Sequence, residues 1–356
     1  TMTNQYAKLN ISKKESTDYI DFRSDTVTLP TEEMFQAMGG AKLGDDVYGE
    51  DREANELQVY TAELLGKEAA LFFPTGTQSN LSAILSHCQR GDEVLIGREY
   101  HTNVYEAHGA SVLGGVGICT IDTNHRGSVC VKDMLAQIKA DDPHFGITKL
   151  LCLENTVSGR VQPQEEINEL SDAAHARGLK VHLDGARLFN AHIHSGLSLK
   201  DLCYSLDSIS ICLSKGLGAP AGSLLVGDID TIRKAKRLRK ILGGGMRQVG
   251  VLAACGMYAL QNNVTRLQND HDNARRLTQG LSKCKGLQVG IDEAQTNMTF
   301  FHCPQEHREG MQAFLLENNI LVHSLSSASR LVCHLDITKA DVDFTVQVFQ
   351  HYFNNK

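Results

Sequence analysis

Apolar and small residues recur at Ala54, Leu57, Tyr60, Thr61, Leu64 and Leu65, the spacing of one helical face, and Gly66 stands where a left-handed terminating residue is wanted. The run Ala69-Ala70-Leu71-Phe72-Phe73 that follows predicts a short buried strand, and Pro74-Thr75-Gly76-Thr77 predicts a turn. Helical spacing resumes over residues 80–88 through Leu81, Ile84 and Leu85. The same alternation predicts strands near 93–96, 150–153, 180–183, 208–213 and 223–226, with a helix at 165–177. Short apolar strands alternating with amphipathic helices imply an α/β fold with a mainly parallel sheet covered on both faces, which gathers functional groups at the carboxyl ends of its strands.

Beyond Gly250 the pattern changes. One long helix is predicted from 251 to about 281, then shorter strands near 298–302, 320–323 and 329–334, and a closing helix at 340–353. This reads as a smaller α+β domain. The expected division is an N-terminal arm (1–20), a large domain (21–265) and a small C-terminal domain (266–356). A chain of 356 residues suits it, because single cores seldom grow beyond roughly 250–300 residues.

Charge and composition remove whole classes of function. A net charge of −7 without a basic tail gives no footprint for nucleic acid. No apolar run approaches the roughly 20 residues that span a bilayer. The polar start of the chain carries no apolar signal core, so a cytoplasmic protein with a loose arm is expected. The ten cysteines stand singly, with Cys152, Cys212, Cys255 and Cys333 inside apolar runs, which predicts buried free thiols. The basic run at 233–240 reads as a solvated or subunit-facing helix surface rather than an anion-binding one.

Two segments carry candidate chemistry: H-L-D-G-A-R at 182–187 and L-S-K-G at 213–216. A carboxylate and an amine at the ends of two buried strands are what pyridoxal 5′-phosphate (PLP) requires, Asp184 for its pyridine nitrogen and Lys215 for its aldehyde. Taken alone, Asp184 could cap the next helix and Lys215 could be a surface lysine. The turn Thr75-Gly76-Thr77-Gln78 opens a helix, and its outward N–H groups suit a phosphate. His192-Ile193-His194 is the one hint of a metal hydrolase, and no H-E-x-x-H or Cys/His cluster supports it.

These segments, with D-F-R-S-D-T-V-T at 21–28, G-D-D-V-Y-G-E-D at 44–51, G-G-G-M-R-Q at 243–248 and R-L-V-C-H-L-D at 330–336, resemble the low-specificity L-threonine aldolases, fold-type-I PLP enzymes. The resemblance runs from about Asp21 nearly to the C-terminus. It implies a seven-stranded, mainly parallel sheet with a small C-terminal domain, and a homotetramer built as a dimer of dimers with sites at the dimer interface. It also implies that Lys215 bears PLP, that Asp184 binds the ring nitrogen and that His101 lies over the ring. Gly76, Thr77, Gln78 and Arg247 are implied as further cofactor contacts, Arg247 reaching in from a neighbouring subunit. Ser24, Arg187 and Arg330 would grip the substrate carboxylate, Arg187 also touching the cofactor, with Tyr48 and Tyr105 as site tyrosines.

One position departs from the family. Glu154-Asn155-Thr156 is followed by Val157-Ser158 where the family has His-Asn, and valine can neither donate nor accept a proton. The implied reaction is cleavage of L-threonine or L-allo-threonine to glycine and acetaldehyde, with His101 or a water it holds as the base. The alternatives are alanine racemisation, dehydration or cleavage of another β-substituted amino acid, or a silent assembly protein that kept the fold.

Overall fold

A computed structural model describes residues 18–291 and 294–354. The expected arm therefore lies, except for its last three residues, outside the described residues. The strands are β1 (Ile20–Asp21), β2 (Ala69–Phe73), β3 (Asp92–Gly97), β4 (Gly117–Ile121), β5 (Ile147–Glu154), β6 (Lys180–Gly185), β7 (Ser208–Cys212), β8 (Ser223–Gly227), β9 (Gln288–Val289), β10 (Met298–His302), β11 (Ile320–Leu321) and β12 (Ser329–Val332).

The larger unit, residues 30–264, is built on a seven-stranded sheet in the order β2-β8-β7-β6-β5-β3-β4. All its pairings are parallel except those of β8, which runs antiparallel to β2 and β7. The centre is dry: Val94, Leu95, Ile96, Leu150, Leu151, Ile209 and Ile211 are fully buried, as expected for strands covered on both faces. Register sets the chemistry, because Glu154 at the end of β5 pairs with Asp184 on β6, and Asp184 with Ser210 on β7. β4 is the strand that the hydrophobic pattern does not announce. It lies at the sheet edge, and Gly117-Ile118-Cys119-Thr120 are only partly covered.

Capping explains where the helices begin and end. Asp51 accepts a hydrogen bond from Ala54 N at 3.0 Å to open the helix Arg52–Leu65, and Gly66 closes it at φ 69°. Thr75 Oγ1 accepts from Gln78 N at 3.2 Å and opens Gly76–His87 at the carboxyl end of β2. The single long helix expected after Gly250 is in fact two, Gly250–Asn262 and Leu267–Leu281. Asn263 stands at the break and donates from Nδ2 to Leu217 O at 2.8 Å, and the boundary between the two units falls just beyond it.

The smaller unit contains residues 265–354 together with 18–29, so the segment 21–29 does not belong to the large domain as expected. β1 pairs in parallel with β11, and β12-β10-β9 form an antiparallel sheet. Phe22 explains the assignment: it is fully buried in a cluster with Leu277, Phe301, Leu315 and Phe349. Phe22 N donates to Leu321 O at 2.8 Å, and Phe22 O accepts from Val332 N at 3.0 Å. The segment is too short for periodicity to show.

The remaining expectations divide. All ten cysteines are free, and Cys152, Cys212, Cys255 and Cys333 are buried; burial pushes the Cys152 and Cys333 thiols far above their usual range. The basic run lies on the helix Ile229–Ile241, but Arg239 is not solvated: it donates to Asp46 at 2.5 Å and to Phe72 O at 2.7 Å in a buried site. Among the described residues, no helix is long and apolar enough to cross a membrane.

Candidate active site

At the carboxyl ends of β2, β6 and β7 lies a cavity of about 270 Å³. Gly76, Thr77, His101, Asp184 and Lys215 all line it, with Asn80, Glu106, Ser210 and Cys212. Five residues singled out along 140 positions of sequence are thus brought together.

Each is placed by its element. Asp184 is the penultimate residue of β6, buried like Gly185 after it, and its Oδ1 accepts from Ala186 N at 3.0 Å and its Oδ2 from Asn80 Nδ2 at 2.9 Å. It caps no helix, since Leu188–Ser195 opens without a side-chain cap. Lys215 follows β7 in a turn closed by Gly218 N donating to Lys215 O at 2.8 Å. Gly76 and Thr77 open the helix Gly76–His87, and among the described residues nothing hydrogen-bonds the buried Ser223 Oγ, which a Cβ on Gly76 would approach to 3.4 Å. Free amide groups at a helix start beside an unsatisfied buried hydroxyl suit an anionic group, and a carboxylate and a lysine across the same cavity suit a pyridinium and an aldehyde. These residues fit PLP.

His101 begins the short helix His101–Val104, and its backbone N–H donates to Glu154 Oε2 at 2.6 Å. Its Nδ1 lies 2.9 Å from Glu106 Oε1, and its ring is 5.5 Å from that of Tyr105, tilted by 40°. Asn80 Nδ2 also donates to Glu106 Oε1 at 2.9 Å. Burial first, and then the Asp184 charge, push Glu106 up, against hydrogen bonds from His101 and Asn80. Glu154 is pushed up to about 8, by burial first and then by Asp184. The ligating atoms of His101, Glu106 and Asp184 lie within 4.8 Å of one another, and the amide of Asn80 bridges the two carboxylates. The group is a hydrogen-bonded cluster.

Sequence reading missed Glu106 and Glu154. Glu106 stands five positions beyond His101, in the bend just past the helix His101–Val104, and Glu154 is the first residue of the quoted Glu-Asn-Thr, so nearness to quoted residues was the one hint of either.

Other expected site residues lie elsewhere. Gln78 is turned from the cavity: Nε2 donates to Leu242 O at 3.1 Å, while its backbone N–H is held by Thr75. Arg247 pairs with Asp45 at 3.3 Å on the surface, and Tyr48 is 76% exposed. Tyr105 is 71% exposed beside His101. Arg187 stands two positions beyond β6, next to Ala186 of the cavity wall, without lining the cavity itself. Ser24 and Arg330 belong to the smaller unit, where Ser24 caps a turn by accepting from Thr26 N at 3.2 Å and Arg330 Nη2 donates to Arg23 O at 3.5 Å. Val157 is buried against Gly127, where an added Cβ would come within 2.6 Å of Cγ1, and it does not line the cavity.

Residues 21–304 match the family described as beta-eliminating lyase. A low specificity L-threonine aldolase of Escherichia coli K12 is 49% identical over 320 residues, which cover 90% of this chain and 95% of that one. Low-specificity L-threonine aldolase 1 of Arabidopsis thaliana is 44% identical, covering 93% and 95%. A Leishmania major threonine aldolase structure superposes with a TM-score of 0.81 at 21% identity, covering 94% of this chain and 99% of that one, which speaks to the fold.

Proposed function

Because the chain belongs to the beta-eliminating lyase family and, within it, to the low-specificity L-threonine aldolases, we propose that its cavity carries out PLP-dependent cleavage of L-threonine and L-allo-threonine to glycine and acetaldehyde. The observation that carries this reading is Asp184 and Lys215 on adjacent strand ends of one cavity, with the phosphate-compatible helix start of Gly76 and Thr77 on its wall.

PLP, when bound, supplies an electrophilic carbon for the amino group and an electron sink for the Cα–Cβ bond. Lys215 Nζ would be the group that attaches it, and Asp184 the carboxylate that would pair with its ring nitrogen. The backbone amides of Gly76 and Thr77 would hold its phosphate, and Ser223 would add a hydroxyl. Arg187 offers a guanidinium fork to the substrate carboxylate. The carboxylate of Glu106 turns the Nδ1–H of His101 toward itself, which leaves Nε2 to accept the β-hydroxyl proton directly or through a water. Val157 leaves that task to His101, since its side chain is packed on Gly127. The intact lysine, aspartate and histidine in one cavity argue against a silent assembly role.

The exposed apolar side chains Phe35, Leu43, Tyr48 and Ile241 of the larger unit support a homo-oligomer, proposed as a tetramer of two dimers. Ten free thiols suit a reducing compartment, which supports a cytoplasmic location.

The test is product analysis with L-allo-threonine, L-threonine and L-alanine in parallel, with Lys215→Ala as control. Equal amounts of glycine and acetaldehyde from the hydroxy amino acids, lost in the control, are expected. D-Alanine without aldehyde would replace the aldolase by a racemase.

A further inference from the structure

A sheet covered on both faces ordinarily buries apolar side chains, yet one stripe between the helix Gly76–His87 and the sheet is polar. Asn80 and His87, two helical turns apart, face His182 and Asp184 of β6 and Ser208 of β7, on alternate positions of their strands. His182 and Ser208 are fully buried. Such groups cost stability unless every donor and acceptor is matched.

The distances show how they are matched. His87 Nε2 lies 2.8 Å from Ser208 Oγ, Ser208 Oγ 2.9 Å from His182 Nδ1, and His182 Nε2 3.1 Å from Asn80 Oδ1. Asn80 Nδ2 donates at 2.9 Å to both Asp184 Oδ2 and Glu106 Oε1. Two carboxylates fix the amide, because its NH₂ must point at them and its oxygen at His182. His182 then carries its proton on Nε2. Burial holds both rings neutral, with His182 lowered to about 3 and His87 to about 4. His182 Nδ1 is therefore an acceptor, Ser208 donates to it, and His87 donates to Ser208. All the bonds run in one direction, from His87 at the end of the helix Gly76–His87 to Asp184.

We infer that Asn80, His182 and Ser208 form a positioning chain for the cofactor site: by delivering a donor to Asp184 Oδ2 they fix the carboxylate that faces the PLP ring nitrogen, and so set cofactor affinity and the protonation of the bound chromophore. Touching neither cofactor nor substrate directly, His182 and Ser208 act through Asn80. The inference rests on the PLP reading above.

The test compares the holoenzyme with His182→Phe, His182→Gln and Ser208→Ala. Two quantities are read: the PLP dissociation constant and the pH midpoint of the bound cofactor's visible absorption. His182→Phe deletes the donor to Asn80 and is expected to weaken PLP binding about ten-fold and to move the absorption midpoint. His182→Gln can still donate to Asn80 and is expected to retain both properties, and Ser208→Ala to move both in the direction of the phenylalanine variant but less. KM for L-threonine at saturating PLP is expected to stay within about two-fold in all three, because the chain faces the cofactor side of the cavity. Folding is checked by far-ultraviolet circular dichroism, and Ser208→Ala, a smaller change, decides the matter where the phenylalanine variant does not fold. A folded Ser208→Ala and His182→Phe pair with unaltered affinity and midpoint would overturn the chain's role. Failure of the unaltered protein to take up PLP would instead overturn the PLP reading.

Discussion

Around the cavity, three carboxylates crowd one small volume, and their unequal surroundings separate them. Asp184 receives two N–H donors, whereas Glu154 receives one, from His101, and is pushed up to about 8 by burial and the Asp184 charge. A raised carboxyl means that the folded protein binds more protons than the unfolded chain between pH 4.5, the ordinary value, and about 8. Stability from this group is then fully present at the acid end of that window and is lost as pH rises through it. Glu154→Gln keeps an acceptor for His101 N and removes the titration. Thermal unfolding of the cofactor-free variant is expected to depend less on pH over that window than the unaltered protein, and a parallel pH dependence would refute the assignment. Sequence reading found Asp184 and Lys215 because their neighbours are apolar and their order is suggestive, but it passed over Glu106 and Glu154. Their significance comes from strand register, which sets Glu154 beside Asp184, and from the bend after the helix His101–Val104, which brings Glu106 to His101 and Asn80, neither of which a linear pattern displays.

Elements owe their positions to short local signals, and the helix Gly76–His87 shows this most directly. Thr75 holds the backbone N–H of Gln78, which orders the turn while leaving the amides of Gly76 and Thr77 toward the cavity. Thr75→Ala is expected to cost about 1 kcal/mol in chemical denaturation of the cofactor-free protein, as the loss of an N-cap does, and to weaken PLP binding as well. Thr75→Ser, which retains the cap, is expected to recover most of both, and equal losses in the two variants would argue against the cap. The central strands were legible from apolar runs and the end of the helix Arg52–Leu65 from Gly66, whereas the caps Asp51 and Thr75 show only in the structure. β4 was not, because an edge strand with one well-buried residue has no strong alternation to display. Nor was the break at 263–266, since apolar spacing continues across it and only the side chain of Asn263, bonded to Leu217 O, marks the end.

For the whole molecule, the chain returns to itself in a way that composition cannot reveal: residues 18–29, first among those described, fold with residues 265–354. A two-residue strand such as β1 supplies little by itself, so the attachment rests on Phe22, buried among Leu277, Phe301, Leu315 and Phe349. Removing a buried phenylalanine ring costs about 3–5 kcal/mol through lost transfer energy and the cavity left behind. Phe22→Ala is therefore expected to lower the stability of the smaller unit selectively. Hydrogen exchange read by mass spectrometry distinguishes the units, as global unfolding curves of a two-unit chain do not. Amides of β10 and β12 are expected to exchange faster in the variant, while those of β5, β6 and β7 keep their protection. Equal acceleration in both units would mean that they unfold as one, and the ring of Phe22 would then support the stability of the entire chain.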